Sequence, residues 1–211
     1  MSRKTIWLLC TLLMAWTSLA TAETMDVIFV VDLSDSLANQ WKVQFNGVEA
    51  SIRDLRRDGS VAVAVMTLNA DQSVLTEIPL TVLDSTTTVE SICSQVGNLQ
   101  GGDSDPTKAF GRAFQIFRTQ ARGVYRFLIL SSDAHASGQP AYDAAQALRQ
   151  AGVKICTVGI GGYSNNCPDS SGINNLKKYA NTTDLIGVNL LEPIGTYSCI
   201  DPGGYPSICV R

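Results

Sequence analysis

Residues 25–36 read MDVIFVVDLSDS, a nearly unbroken apolar run that ends abruptly in Asp32, Ser34 and Ser36. An apolar run that is rich in β-branched residues is typical of a strand buried on both faces at the centre of a parallel sheet. Open α/β sheets bind their ligands beside the carboxyl ends of such strands. Because the three polar residues alternate along the chain, their side chains can converge on one point. A set of oxygen ligands suits a hard cation such as Mg²⁺.

Strands and helices are predicted to alternate over most of the chain. Apolar residues recur at steps of three and four between Leu37 and Leu55, which predicts an amphipathic helix lying on a sheet. Other buried strands are predicted at residues 60–68, 124–131, 153–160 and 184–188, with an antiparallel edge strand at residues 73–80. We therefore expect an α/β fold with a three-layer, doubly wound, mostly parallel six-stranded sheet that has one antiparallel edge strand.

The two ends of the chain differ in composition from its middle. Residues 1–22 have a basic start, a short apolar run and an Ala-Thr-Ala cleavage pattern, which predicts a secretory signal peptide rather than an uncleaved membrane anchor. We expect a domain at residues 23–190 and a cysteine-containing loop tail at residues 191–211. No later apolar run reaches membrane-spanning length. The product is predicted to be extracellular, or periplasmic in a bacterium, without membrane insertion after cleavage.

The charge of the mature chain bears on which partners it could bind. Removal of Arg3 and Lys4 with the signal peptide changes the formal net charge from −3 to −5, because −3 minus +2 is −5. Basic residues are scattered, so nucleic acid is not an expected partner.

Five cysteines remain, an odd number in an oxidising compartment. We expect Cys156, in an apolar strand, to be a free core thiol. The sequence does not determine which of the others pair. They are Cys93, Cys167, Cys199 and Cys209. Asn181 begins a glycosylation pattern that matters only in a eukaryotic host.

Three polar groups of residues follow predicted strands or precede a predicted helix. They are the Asp32 to Ser36 motif, the loop Gly101-Gly102-Asp103-Ser104, and Ser131-Ser132-Asp133. In this order they resemble the metal-ion-dependent adhesion site of the von Willebrand factor type A domain, over about residues 25–187.

Each element of the family's motif has a counterpart in the sequence. Asp32, Ser34 and Ser36 match the family's Asp-x-Ser-x-Ser. Ser104 stands for a loop hydroxyl that is usually threonine, with Thr107 as the alternative. Asp133 matches an aspartate that is usually followed by glycine, whereas this sequence has Ala134.

The resemblance implies a binding function for these residues. The implied metal ligands are Asp32, Ser34, Ser36, Ser104 and Asp133, with the hydroxyls bound directly and the aspartates acting partly through water. The implied cation is Mg²⁺, with Mn²⁺ or Ca²⁺ as alternatives. In the family, an Asp or Glu of a partner protein fills the open position, and extracellular matrix and cell surfaces are candidate sources of such a partner. The resemblance therefore implies metal-dependent protein binding and no enzymatic activity.

Two alternatives remain. The first is an enzyme. A haloacid dehalogenase-type phosphatase needs a second acid where Ser34 stands, and the Gly-x-Ser-x-Gly pattern of α/β hydrolases is absent. A Ser-His-Asp catalytic triad could use only His135, the sole histidine. A hydrolase-like enzyme that uses the strand-end carboxylates would lose turnover on His135→Ala. A structural or assembly protein, in which the metal only stabilises the fold, would show metal-dependent melting without metal-dependent binding.

Overall fold

The computed structural model describes residues 24–73, 75–134, 138–160, 170–180, 196–200 and 206–210. The strands in these segments are β1 (Met25–Val31), β2 (Val61–Thr67), β3 (Glu77–Val82), β4 (Tyr125–Ser132), β5 (Lys154–Gly159), β6 (Thr196–Ile200) and β7 (Pro206–Val210). The α-helices are α1 (Trp41–Asp54), α2 (Thr86–Val96), α3 (Thr107–Thr119), α4 (Gln139–Gln150) and α5 (Ser170–Tyr179), and a short 3-10 helix (Asp35–Gln40) precedes α1. None of these described helices has the length and apolar character needed to cross a membrane.

The sheet is organised around β1, which pairs in parallel with β2 on one side and with β4 on the other. The strand order is β3-β2-β1-β4-β5-β7-β6, in which β3 runs antiparallel to β2, and β6 runs antiparallel to β7. Val31, the last residue of β1, lies opposite Thr67 and Ser131. The carboxyl ends of three central strands therefore meet at one edge of the sheet, and the polar residues that follow β1 and β4 start from neighbouring positions.

The predicted fold class is confirmed, but the predicted number of strands differs from the structure. We expected six strands and a loop tail after residue 190, whereas the sheet has seven strands and the tail contributes β6 and β7. The prediction gave weight to the prolines and glycines of the tail. Pro202, Gly203 and Gly204 fall between the two strands, and Pro206 is the first residue of β7, where proline does not interrupt a strand. The signal peptide and the strand predicted at residues 184–188 lie outside the described residues.

Two apolar layers cover the sheet because successive side chains of a strand point to opposite faces. Val27 and Val31 of β1 belong to the layer under α1 and α2, while Ile28 and Val30 belong to the layer under α3, α4 and α5. All four side chains are completely buried. This three-layer arrangement is the one predicted from the alternation of strands and helices.

Both cysteines whose side chains the structure describes are free thiols. Cys156 is half-buried and packs against the layer under α1, as expected for an unpaired core residue, and Cys93 is buried in the same layer. Burial raises the pKa of both thiols above the ordinary value. Cys167 lies outside the described residues, and Cys199 and Cys209 lie in β6 and β7, so any disulfide among them stays a prediction.

The burial of α3 can be tested with two phenylalanines on the same helix. Phe110 is completely buried, and its ring meets the Tyr179 ring edge-on with centroids 5.2 Å apart. Phe114 is only partly buried. We expect Phe110→Ala to lower the free energy of unfolding by about 3 to 5 kcal/mol, because it leaves a cavity, and Phe114→Ala to lower it clearly less. Urea denaturation measures both, and equal losses would contradict this burial.

Candidate metal centre

Asp32 is the first residue after β1, and its side chain is completely buried. Its Oδ1 accepts a hydrogen bond from the backbone N–H of Ser34 at 2.9 Å, which closes a tight turn directly after the strand. Its Oδ2 accepts one from the hydroxyl of Ser132 at 2.5 Å. Burial raises the pKa of the Asp32 carboxyl above its ordinary value and the charge of Asp133 adds to this, although the hydrogen bonds from Ser132 and Ser34 oppose it. Neutral donors therefore hold this carboxylate in one orientation.

A chain of hydroxyls joins the first motif to the third. The Oγ atoms of Ser34 and Ser36 lie 3.1 Å apart, and the Ser36 hydroxyl donates to Oδ2 of Asp133 at 2.7 Å. Ser34 and Asp133 are buried, and Ser36 is half-buried. The structure therefore brings four of the five predicted ligands together, although Ser36 and Asp133 are 97 residues apart in sequence.

Gln44, a buried residue of α1, holds the end of β1 in place. Its Nε2 donates to the backbone carbonyl of Asp32 at 2.7 Å, and its Oε1 accepts from the backbone N–H of Asp32 at 3.3 Å. The Ser131 hydroxyl also donates to this Oε1. One side-chain amide thus ties helix α1 to β1 and β4 at the polar cluster, which comprises Asp32, Ser34, Ser36 and Asp133. Sequence reasoning missed Gln44, although its position four residues before the buried Val48 placed a polar side chain on the apolar helix face.

The loop after β4 contains a residue in an uncommon backbone conformation. Ala134, directly after Asp133, has a φ of 51°, in the left-handed region that costs a non-glycine residue about 1 to 2 kcal/mol. Glycine, which the von Willebrand factor type A motif usually has at this position, adopts such a φ without this cost. The Ala134 N–H donates to Oγ of Ser132 at 2.8 Å, and its carbonyl accepts from Nδ2 of Asn175 at 2.9 Å. Sequence reasoning gave no role to Ser132 or Asn175.

The loop that carries Ser104 packs against the first motif. A β-carbon on Gly101 would collide with Cβ of Leu33, so only glycine permits this approach. Ser104 is half-buried, and its hydroxyl has no hydrogen-bond partner among the described residues. The Thr107 hydroxyl instead donates to Oδ1 of Asp105 at 2.6 Å, beside the start of α3. No hydrogen bond between described side chains joins Ser104 to the other four predicted ligands.

The donor atoms at this edge of the sheet fit a hard cation. They are carboxylate and hydroxyl oxygens, without nitrogen or sulfur, which is the ligand set that Mg²⁺ prefers. The described residues contain no group of three or more His, Cys, Asp or Glu that could hold a metal. A cation bound here would therefore depend on the serine hydroxyls as well as on the two carboxylates. His135, named in the enzyme alternative, lies outside the described residues.

Comparison with known families gives a match over most of the described sheet. The model of the von Willebrand factor type A domain matches residues 26–186. That range runs from the second residue of β1 through β5, and it includes the five described α-helices and every residue of the polar cluster.

Solved structures with the same fold come from bacteria and a protozoan. The pilus adhesin SpaC from Lactobacillus rhamnosus GG, in an open conformation, has a TM-score of 0.59 and 12% identity over 76% of this chain. The manganese-loaded TRAP protein of Plasmodium vivax has a TM-score of 0.56, with 18% identity over 82% of this chain and 74% of its own length. The domain from the type V pili tip protein Mfa5 of Porphyromonas gingivalis has a TM-score of 0.55, with 15% identity over 83% of this chain and 94% of its own. The alignment covers 27% of the SpaC chain.

The left-handed conformation of Ala134 can be tested by substitution. Ala134→Val should lower the free energy of unfolding by about 1 to 3 kcal/mol, because a β-branched residue is strained at this φ and the site is buried. The control is Ala134→Gly, which relieves backbone strain while removing a buried methyl group, and which should change stability by about 1 kcal/mol or less. Urea denaturation measures both variants. If valine is tolerated as well as glycine, the turn does not have this conformation.

Proposed function

Because this chain belongs to the von Willebrand factor type A domain family, we propose that it is a binding module in which a divalent cation captures an acidic side chain of a partner protein. The cation proposed is Mg²⁺, with Mn²⁺ or Ca²⁺ as alternatives. The proposed ligands are Asp32, Ser34, Ser36, Ser104 and Asp133.

The observation that carries this proposal is the meeting of two strand-end loops at one cluster of oxygens. The Ser36 hydroxyl lies 2.7 Å from Oδ2 of Asp133 and 3.1 Å from the Ser34 hydroxyl. Three of the proposed ligands therefore already contact one another in a row, with Ser36 in the middle. We propose Ser104 rather than Thr107 as the fifth ligand because the Thr107 hydroxyl already bonds to Asp105. The contacts among Ser34, Ser36 and Asp133 support their assignment to a single site.

The residues of the chain hold this site in place, and the cation supplies positive charge with an open position for a carboxylate. The three serine hydroxyls carry no charge and the two aspartates would act partly through water, so the directly bound ligands neutralise the cation incompletely and leave it attractive to an anion. Asp32 is fixed by Ser132 on one carboxylate oxygen and by the Ser34 N–H on the other. Gln44 holds the Asp32 peptide from below, so the carboxylate keeps its orientation.

The charges around the cluster favour metal dependence. Asp35 is exposed within the first motif, and Asp103 and Asp105 flank Ser104, so an additional carboxylate accompanies two of the three parts of the proposed site. The Lys108 ammonium lies 3.2 Å from a carboxylate oxygen of Asp103, so Asp103 offsets part of the positive charge of Lys108. An acidic partner would meet net repulsion at this surface unless a cation were bound. This supports recognition through the metal rather than through a basic patch.

We further propose that the function is extracellular binding without enzymatic turnover. The signal peptide predicted at residues 1–22 and a pilus adhesin and a pilus tip protein among the similar folds support this role. Sequence identities of 12% and 15% to those proteins indicate a shared fold, but they do not indicate which ligand this chain binds. The partner class follows instead from the site: a protein segment that presents Asp or Glu, on extracellular matrix or a cell surface.

Metal binding can be measured directly by isothermal titration of Mg²⁺ and Mn²⁺ into the purified chain. We expect one saturable site whose affinity falls at least about tenfold in Asp133→Asn, because one proposed ligand oxygen is lost. At a free Mg²⁺ concentration 100 times the Kd, the parent should gain about 2.7 kcal/mol in unfolding free energy. The control is Ser94→Ala, an exposed serine of α2 that should bind as the parent does. Equal affinity in Asp133→Asn would overturn the proposed site.

Recognition of a carboxylate can be measured with a displayed peptide library. We expect peptides with an Asp or Glu to be retained by the parent in Mg²⁺ and released by a chelator, because the acidic side chain completes the coordination of the cation. Exchange of that acid for Asn or Gln should abolish retention. Retention that persists in chelator, or that ignores the acid, would contradict the proposed mode of binding.

A further inference from the structure

Asn175 of α5 contacts the loop after β4 at the residue that follows Asp133. Its Nδ2 donates to the Ala134 carbonyl at 2.9 Å, and the residue is 9% exposed. We propose that Asn175 is a positioning residue for the metal centre, which fixes the Ala134 peptide and thereby the direction of the Asp133 carboxylate. This inference rests on the proposed function and adds a residue outside the ligand set.

The orientation of the Asn175 side chain is itself determined by its neighbours. The Tyr142 hydroxyl of α4 donates to Oδ1 of Asn175 at 2.7 Å, and the Lys178 ammonium lies 3.4 Å from the same hydroxyl oxygen. Since an ammonium can only donate, the Tyr142 oxygen accepts from Lys178 and directs its hydrogen to Asn175. The amide NH₂ of Asn175 must then face Ala134. Two helices therefore set the direction of one hydrogen bond to the loop.

The loop peptide that Asn175 holds is the one with the unfavourable conformation. Ala134 has a φ of 51°, and its N–H donates to Ser132, whose hydroxyl in turn donates to Asp32. Asp133 lies between Ser132 and Ala134 and accepts from Ser36. A return of Ala134 to a right-handed conformation would rotate the peptide that follows Asp133. The hydrogen bond from Asn175 to the Ala134 carbonyl opposes that rotation.

The position of Asn175 in α5 is unusual for a polar residue. Gly172, Leu176 and Tyr179 form the buried face of this helix, and Asn175 lies on the same face at helical spacing. A buried amide lowers stability unless its hydrogen bonds are made, and an apolar residue could fill the same space. The two hydrogen bonds that Asn175 makes connect the loop to α4, which an apolar residue could not do.

The first test compares the Mg²⁺ affinity of Asn175→Leu with that of Asn174→Leu. Asn174 is the exposed neighbour on the same helix, so it receives the same substitution at a solvent-facing position. Isothermal titration at a temperature where both variants are folded should show Mg²⁺ affinity about 10-fold or more weaker for Asn175→Leu and unchanged for Asn174→Leu. Parent affinity in Asn175→Leu, whatever its melting temperature, would overturn the proposal, because a merely structural residue changes stability alone.

A second variant covers the case in which Asn175→Leu fails to fold. Asn175→Asp keeps the shape and the Oδ1 acceptor for Tyr142 but places an oxygen against the Ala134 carbonyl. It should also weaken Mg²⁺ binding, whereas Tyr142→Phe, which leaves the Asn175 donor in place, should weaken it less. Parent affinity in Asn175→Asp would overturn the proposal.

The amide resonances of Asp133 and Ala134 separate this proposal from the proposed function. In ¹⁵N spectra of the chain without added metal, Asn175→Asp should shift both resonances, while Asn174→Leu should leave them unchanged. If the parent itself does not bind Mg²⁺, the proposed function fails, and the resonances still test the positioning role. Unshifted Asp133 and Ala134 resonances would then overturn it.

Discussion

The parallel register of β1 against β4 is the constraint on which the rest of the site depends. Val31 lies opposite Ser131, and the Asp32 N–H donates to the Ser131 carbonyl at 3.0 Å, so both strands end at the same level. Asp32 directly follows Val31, and Asp133 lies two residues after Ser131, so a carboxylate stands at the end of each strand. A shift of one residue would turn every β1 side chain to the opposite layer, which the apolar packing on both faces prevents. The register of the hydrophobic core thus also places the polar cluster.

Two buried aspartates, Asp26 near the start of β1 and Asp32 just after its end, have different hydrogen-bond and charge partners. Asp26, in β1, accepts from the backbone N–H groups of Arg122 and Gly123 at 2.8 and 2.6 Å, and the Arg122 guanidinium approaches to 3.9 Å. Asp32, at the other end of the strand, has only neutral N–H and hydroxyl partners among the described residues. A buried carboxylate without a basic partner is costly. A bound cation at this end would offset that cost, as Arg122 does at the other.

Local sequence patterns predicted the frame of the fold and the first motif. The apolar run predicted β1, and the apolar steps of three and four between Leu37 and Leu55 predicted α1. The contacts of Gln44 and Asn175 were not predictable, because each joins a helix to a distant loop through tertiary packing. The strands of the tail were missed for another reason: proline and glycine between two short segments favour a loop and a hairpin equally.

The departure of this sequence from the family at Ala134 shows how the site tolerates a less suitable residue. The left-handed conformation costs alanine about 1 to 2 kcal/mol relative to glycine. Hydrogen bonds at the N–H, to Ser132, and at the carbonyl, from Asn175, contribute about 0.5 to 1.5 kcal/mol each. These contributions are of the same size as the strain, so the peptide is held where glycine would adopt the conformation freely. Positions that supply such hydrogen bonds are therefore where this chain compensates for the missing glycine, and they are invisible to a motif that records only the ligands.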